Sequence, residues 1–300
     1  MTKIVQTEQI DASLIELDLL SNENLLTVLL KSQQSAVDAV TKANQQLDVA
    51  IEKSAERLSG SDGRLVLAGA GASGRLAIQD GAELWPTFGW PHARLKLCMA
   101  GGFEALLSSV EGVEDDASAG ISEVVDATIN EHDVVIAIAA SGRSAWTCAF
   151  LEQSRTQGAL TIGMSNNDDT RLLQLAECPI FLNTGAEVLA GSTRMAAGTS
   201  QKIALNAFST ALMIRLNRTY GNLMVDMAAV NAKLDERRVR LLQGVLPKLD
   251  NDQAQLALSK AGGWVKLAAL VALGDTPEEG ENRLRQYKGS LRQAISALEN

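Results

Sequence analysis

Short apolar runs alternating with patterned segments between about residues 64 and 183 predict an α/β fold. It is a doubly wound, five-stranded parallel sheet in a flavodoxin-like three-layer sandwich, with helices before it and a small helical domain after it. Three observations carry this. Five runs of four to six residues, Leu65–Ala68, Leu95–Met99, Val134–Ala139, Leu160–Met164 and Pro179–Leu182, are nearly continuous in apolar character. Strands buried on both faces read this way, and only a parallel sheet covered by helices buries both faces. Segments 114–128, 144–156 and 168–176 lie between the runs and supply crossover helices. The first run ends in Gly69-Ala70-Gly71-Ala72-Ser73-Gly74, a strand-to-helix turn.

Taken in order, residues 21–58 carry apolar side chains at spacings of three and four, from Leu25, Leu26, Leu29 and Leu30 to Val37, Val40, Leu47 and Ile51. That period predicts helix. Gly60-Ser61-Asp62-Gly63 breaks it, and the five strands follow. After residue 190 the period is helical again, through Ile203, Leu205, Phe208, Leu212, Met213 and Leu216. A charged helical stretch over 226–246 ends at Pro247, and short helices are predicted over 252–260, 263–273, 276–286 and 290–298. The expected organisation is a helical segment over 1–60, a ligand-binding α/β domain over 61–246 and a helical domain over 247–300. The apolar helical content of 1–60 and 200–230 exceeds what one sheet layer needs, which predicts a homodimer.

Composition narrows function. The 300 residues carry 27 Lys+Arg against 36 Asp+Glu, a net charge of −9. That balance opposes a nucleic-acid backbone or an anionic membrane surface as partner. Aromatic residues make up 4%, too few for base-stacking platforms. Cys98, Cys148 and Cys178 form no CxxC pair, and His92 and His132 are far apart. Neither a disulfide framework nor a metal site is expected. No run approaches the ~18 apolar residues of a membrane span, and the start of the chain has no apolar signal core, so a cytoplasmic location is expected.

The chemistry concentrates in hydroxyl-rich turns. GAGASG matches a dinucleotide loop, but the second strand ends Cys98-Met99-Ala100-Gly101-Gly102, without the acidic residue a ribose requires. Ala140-Ser141-Gly142-Arg143-Ser144 ends the third strand, and Gly191-Ser192-Thr193-Arg194 precedes the long helix. Hydroxyls and amides at helix starts suit a compact phosphate. Ser73, Ser141, Ser144 and Ser192 are the candidate phosphate ligands, with the amides of Gly74 and Gly142. Arg75, Arg143 and Arg194 are charged candidates, and Arg194 joins the serines as a phosphate ligand. Each turn taken singly also fits plain turn and capping chemistry.

The segments GAGASGR (69–75), AASGRS (139–144) and GSTRMAAGTSQK (191–202) resemble sugar isomerase domain proteins, which bind phosphosugars. AELWPTFG (82–89), AGGFEALLSSVEGVEDD (100–116) and YGNLMVD (220–226) narrow the resemblance to the N-acetylmuramic acid 6-phosphate etherase family, whose relatives include the glucokinase regulatory protein. The likeness runs from about Thr7 to the end of the chain. It implies a cofactor-free homodimer of peptidoglycan recycling that cleaves the lactyl ether of N-acetylmuramic acid 6-phosphate. Its two catalytic glutamates fall on Glu83 and Glu114. The chain departs from the usual family pattern at Trp85 and at Ala196, where a lysine is common.

Two glutamates suit that reaction. An ether oxygen β to the open-chain aldehyde leaves by elimination once the C2 proton is removed. One carboxylate takes that proton, a carboxylic acid protonates the departing lactate, and water then adds. Glu83 is assigned as the acid and Glu114 as the base, an assignment the sequence alone does not fix. An aldose–ketose isomerase would need only one base. A phosphosugar sensor would bind without turnover.

Overall fold

A computed structural model describes residues 5–227 and 233–298. Among the described residues of the first sixty, three short 3-10 turns precede three α-helices, α1 (Asn22–Ser32), α2 (Gln34–Lys42) and α3 (Asn44–Leu58). The continuous helical pattern over 21–58 is thus broken twice. At each break a carbonyl three residues back takes the amide, Leu30 for Gln33 and Val40 for Ala43, which tightens the turn. Ser21 accepts from the amide of Asn24 and caps α1. α1 buries no residue, whereas α3 buries Leu47, Ala50, Ala55 and Leu58.

The sheet region follows as β1 (Leu65–Gly69), α4 (Gly71–Ala82), α5 (Leu84–Phe88), β2 (Leu95–Met99), α6 (Glu104–Leu107), α7 (Ala117–Asp126), β3 (Val134–Ile138), α8 (Ala145–Thr156), β4 (Leu160–Ser165), α9 (Arg171–Leu175), β5 (Cys178–Phe181) and α10 (Ala196–Arg215). All five predicted strands form. They pair in parallel in the order β2-β1-β3-β4-β5, the flavodoxin-like arrangement. β1, β3 and β4 are buried along their whole length. One core layer gathers Val66, Ala68, Val135, Ala137, Trp146, Phe150 and Leu151. Arg64 and Asp133 latch the starts of β1 and β3: an Arg64 guanidinium nitrogen lies 2.6 Å from Asp133 Oδ2, and the Arg64 amide donates to Oδ1 at 2.9 Å.

The chain divides into two compact units, Met1–Gly81 with Ala93–Ser209, and Ala82–His92 with Thr210–Asn300. The expected boundaries at 60 and 246 do not coincide with these. In the second unit α11 (Lys233–Val245) shares one core with α12 (Asn251–Lys260), α13 (Val265–Ala272), α14 (Pro277–Gln286) and α15 (Leu291–Ser296). Leu242, Ala254, Leu258, Ala268, Leu270 and Leu291 meet there, so Pro247 is a turn inside the unit and not a border. Thr276 and Glu279 form a capping box that opens α14, with Pro277 in its first turn. The four short helices predicted after 247 form within a few residues of their expected ends. Part of the segment expected over 226–246, residues 228–232, lies outside the described residues.

Residues 82–92 join the second unit through specific contacts. Gly89 has φ +58, and a Cβ there would overlap the carbonyl oxygen of Asp226. The Arg218 guanidinium lies 5.5 Å from the ring centre of buried Trp90, a cation–π distance.

Candidate active site at the carboxyl edge of the sheet

β1 and β3 are neighbours, but the chain leaves β1 towards β2 on one side and β3 towards β4 on the other. Such a reversal opens a crevice beyond the strand ends, where ligands of this architecture bind. The loops 69–74 and 139–144 both emerge there.

In the first loop the glycines answer to packing. A Cβ on Gly74 would stand 2.7 Å from the Gly69 carbonyl oxygen, and one on Gly69 would stand 2.9 Å from that of Ile138. Gly71 takes φ +55 as the chain turns into α4. The Gly74 amide, expected to face a phosphate, already donates to the Ala70 carbonyl at 3.0 Å. That expectation is corrected. The amides without helical partners at the start of α4 are those of Gly71, Ala72 and Ser73. Ser73 is buried, and its hydroxyl has no hydrogen-bond partner among the described residues.

The second loop holds Gly142 at φ +61, where a Cβ would overlap Thr170 Oγ1 and stand 2.5 Å from Ser165 Oγ. Its amide donates to the Ala139 carbonyl at 3.0 Å, so it too is corrected as a phosphate donor. Ser141 Oγ accepts from the Arg143 amide at 3.2 Å. Ser144 caps α8 by accepting from the Thr147 amide at 3.3 Å and from Thr147 Oγ1 at 3.0 Å. Its own hydroxyl proton goes to the carbonyl oxygen of Glu114 at 3.0 Å.

Glu114 sits on a single 3-10 turn, Val113–Asp115, entered through Gly112 at φ +75. Its side chain is exposed, yet Oε2 lies 3.7 Å from the place a Cβ on Gly71 would occupy. The carboxylate and the start of α4 border one small cavity of about 50 Å³, with Met99 and Val113 in its wall. An anion there meets the positive end of the helix dipole. Within the acidic run 111–116, Asp116 has the plain capping role. It accepts from Ser118 Oγ at 2.5 Å and from the Ala119 amide at 2.9 Å, and the Ser118 bond, then the amide, hold its carboxyl below the usual range.

The third loop departs from expectation in one respect. The amides of Ala196 and Ala197, which open α10, are taken by the buried carboxylate of Glu187 at 3.0 and 2.9 Å. Ser192 and Arg194 lie ahead of that helix start, and neither side chain has a partner among the described residues. The Gly191 amide donates to the Thr7 carbonyl at 3.0 Å. Thr7 is buried and exchanges two hydrogen bonds with Asn167, which also donates to Ala140 O at 2.9 Å. Asn166 bonds Leu182 O, Ser200 and Gln201. Sequence reasoning missed Glu187, Asn166 and Asn167. The available signal was a pair of adjacent asparagines at the carboxyl end of β4.

Glu83 is exposed, precedes α5 and accepts the Thr87 amide on its carbonyl at 3.2 Å. It belongs to the second unit. Arg75 donates to the carbonyls of Ala105 and Ser108, which makes it a staple of the 103–108 segment. Burial pushes the Cys98 thiol up to about 12 and the Cys148 thiol to about 11, so neither is a nucleophile near neutrality. Trp146 is buried and stacked on Phe150.

Residues 46–155 match the family model of the glucokinase regulatory protein N-terminal SIS domain, and residues 112–211 match the SIS domain model. The N-acetylmuramic acid 6-phosphate etherase of Deinococcus radiodurans is 45% identical over 296 residues, covering 98% of this chain and 96% of that protein. The etherase of Symbiobacterium thermophilum is 47% identical over 211 residues, 70% of this chain and 69% of its own length. That of Klebsiella aerogenes is 38% identical across 97% and 96% of the two chains.

Proposed function

The chain belongs to the N-acetylmuramic acid 6-phosphate etherase family, and from that membership we propose that it is a carbon–oxygen lyase converting N-acetylmuramic acid 6-phosphate and water to N-acetylglucosamine 6-phosphate and D-lactate. The observation that carries the residue roles is the position of Glu114. Its carboxylate faces Gly71 at the start of α4, and its backbone is tied to Ser144 at the start of α8. One glutamate thereby bridges the two loops at the switch point of the sheet.

In the proposed reaction the sugar opens to its aldehyde. Glu114 takes the C2 proton, the C3–O bond to lactate breaks, and Glu83 protonates the departing oxygen. Water adds at C3 of the unsaturated aldehyde and a proton returns to C2, which closes the balance. Ser73, with its uncommitted hydroxyl, and the amides of Gly71, Ala72 and Ser73 receive the phosphate. Ser141, Ser192 and Arg194 complete the polar lining. Ser144 acts through Glu114 rather than as a free donor. An isomerase also takes a C2 proton, but it would release no lactate. The test is a D-lactate assay on the purified chain, with Glu114→Gln as the control. Release that depends on Glu114 supports the reading, and sugar interconversion without lactate overturns it.

We also propose a homodimer in the cytoplasm. Its support is the apolar surface near the start of the chain, where Ile15, Leu19 and Leu30 are each more than 70% exposed. Single exposed apolar residues are ordinary, but Ile10, Ile15 and Leu189, each more than half exposed, border one groove, and such a grouping marks an interaction surface. No helix among the described residues is long and apolar enough to cross a membrane.

A further inference from the structure

A cavity of about 450 Å³ lies wholly within the helical unit Thr210–Asn300. Six charged side chains line it: Arg218, Lys266, Arg285 and Lys288 against Asp226 and Glu281. Four cations and two anions leave two positive charges uncompensated, in a chain whose net charge is −9. The volume falls in the usual range for small-molecule sites, roughly 300–1,000 Å³.

One carboxylate serves two of the cations, and the other two are little compensated. The Lys266 side chain is 7% exposed, and its ammonium donates to Asp226 Oδ2 and to the Asn217 carbonyl, each at 2.6 Å. An ammonium has three donors, and the third has no partner among the described residues. Gly289 leaves room beside it, since a Cβ there would stand 3.8 Å from Lys266 Nζ. Asp226 is already paired by Lys266, so Arg218, 3.5 Å from the same oxygen, is in excess. Arg285 donates to the neutral Asn282 Oδ1 at 2.9 Å and meets the Glu281 carboxylate at 4.0 Å, so its charge is little compensated, and the exposed Lys288 side chain has no partner among the described residues. The rest of the wall is apolar: Leu267, Leu284 and the half-exposed indole of Trp264.

We propose that this cavity is a second binding site, independent of the etherase reading, for a small phosphate monoester with a flat or apolar body. A phosphate monoester carries nearly two negative charges at neutral pH, which matches the excess. Its body lies against Trp264 and Leu284, which are apolar parts of the lining.

The experiment is calorimetric titration of the full chain with phenyl phosphate at fixed ionic strength, with phenol and inorganic phosphate as controls. The expected result is phenyl phosphate binding that survives Ser73→Ala in the crevice. Arg285→Glu with Lys288→Glu weakens it at least about tenfold, whereas Arg285→Lys with Lys288→Arg keeps it. Phenol shows none, and inorganic phosphate binds more weakly than the ester. Absence of phenyl phosphate binding, binding indifferent to the charge reversal, or loss in Ser73→Ala or in the charge-conserving pair overturns the proposal.

Discussion

The hydroxyl of Ser144 donates to the backbone carbonyl of Glu114 at 3.0 Å across thirty residues of chain. The same oxygen caps α8 by accepting from Thr147. A helix start thus fixes the turn that carries the proposed base. Ser144→Ala is expected to cost about 1 kcal/mol of stability through the lost cap. It should also lower kcat by up to about 100-fold through displacement of the carboxylate, with a smaller change in KM. Ser144→Thr keeps the hydroxyl and should recover most of both. Thermal unfolding and D-lactate release measure the two effects. A stability loss with unchanged kcat sinks the positioning role.

The two glutamates can be told apart by isotope exchange. If Glu114 is the base, Glu114→Gln abolishes both lactate release and incorporation of deuterium at C2 from heavy water. If Glu83 is the acid, Glu83→Gln lowers lactate release by about 10²–10⁴-fold yet leaves C2 exchange in place. Mass spectrometry of recovered substrate reads the difference. The reverse pattern would exchange the two assignments.

Gly142 is fixed by space and by backbone conformation together. At φ +61 a Cβ would overlap Thr170 Oγ1 and press on Ser165 Oγ. Its carbonyl accepts from the Leu172 amide at 3.1 Å, so the loop has no freedom to move aside. Gly142→Ala is expected to destabilise by roughly 2–4 kcal/mol, the sum of left-handed strain and overpacking. Gly102→Ala has no such neighbour and should cost only its share of strain. Urea midpoints of the two variants, compared at constant m value, test this.

The strands were legible because continuous apolar runs of four to six residues fit few environments other than a sheet buried on both faces. The loops were legible because glycine and serine recur at three element ends. Residue roles inside the loops were less so. Gly74 and Gly142 look like phosphate donors in sequence, but their amides are consumed by Ala70 and Ala139. Sequence shows residue types and not which hydrogen bonds are already taken. Glu187 was missed for a related reason: a single carboxylate nine residues before a helix has no periodic signature, yet it satisfies two amides of α10. The unit boundary failed because Pro247 reads as punctuation, while cohesion of the second unit comes from long-range contacts such as Leu242 with the helices after it.

Oligomeric state follows from the exposed apolar residues of the first thirty positions. Leu30 is 71% exposed on α1, a helix that buries nothing. If this face meets a second copy, light scattering at micromolar concentration gives twice the chain mass. Leu26→Glu with Leu30→Glu then gives the single mass while the helical circular dichroism signal is kept. A monomeric parent chain refutes the homodimer.

The buried thiols make stability fall at alkaline pH. Burial is the first cause of the raised Cys98 and Cys148 values, about 12 and about 11. Unfolded thiols ionise near pH 8.5–9. Between that point and the folded values the unfolded chain has lost protons that the native chain retains. The contribution is therefore whole below about pH 8.5 and is lost as pH rises towards 11–12, with a limiting slope of about 1.4 kcal/mol per pH unit for each such thiol. Cys98→Ala removes one of these groups, so its urea midpoint should fall less steeply than that of the parent chain between pH 8.5 and 10.5. Iodoacetamide at pH 8.5 should leave all three buried cysteines unmodified in the native chain and alkylate them after unfolding. Rapid native alkylation of Cys98, or identical pH slopes in the two proteins, would show that the thiol is neither shielded nor linked to folding.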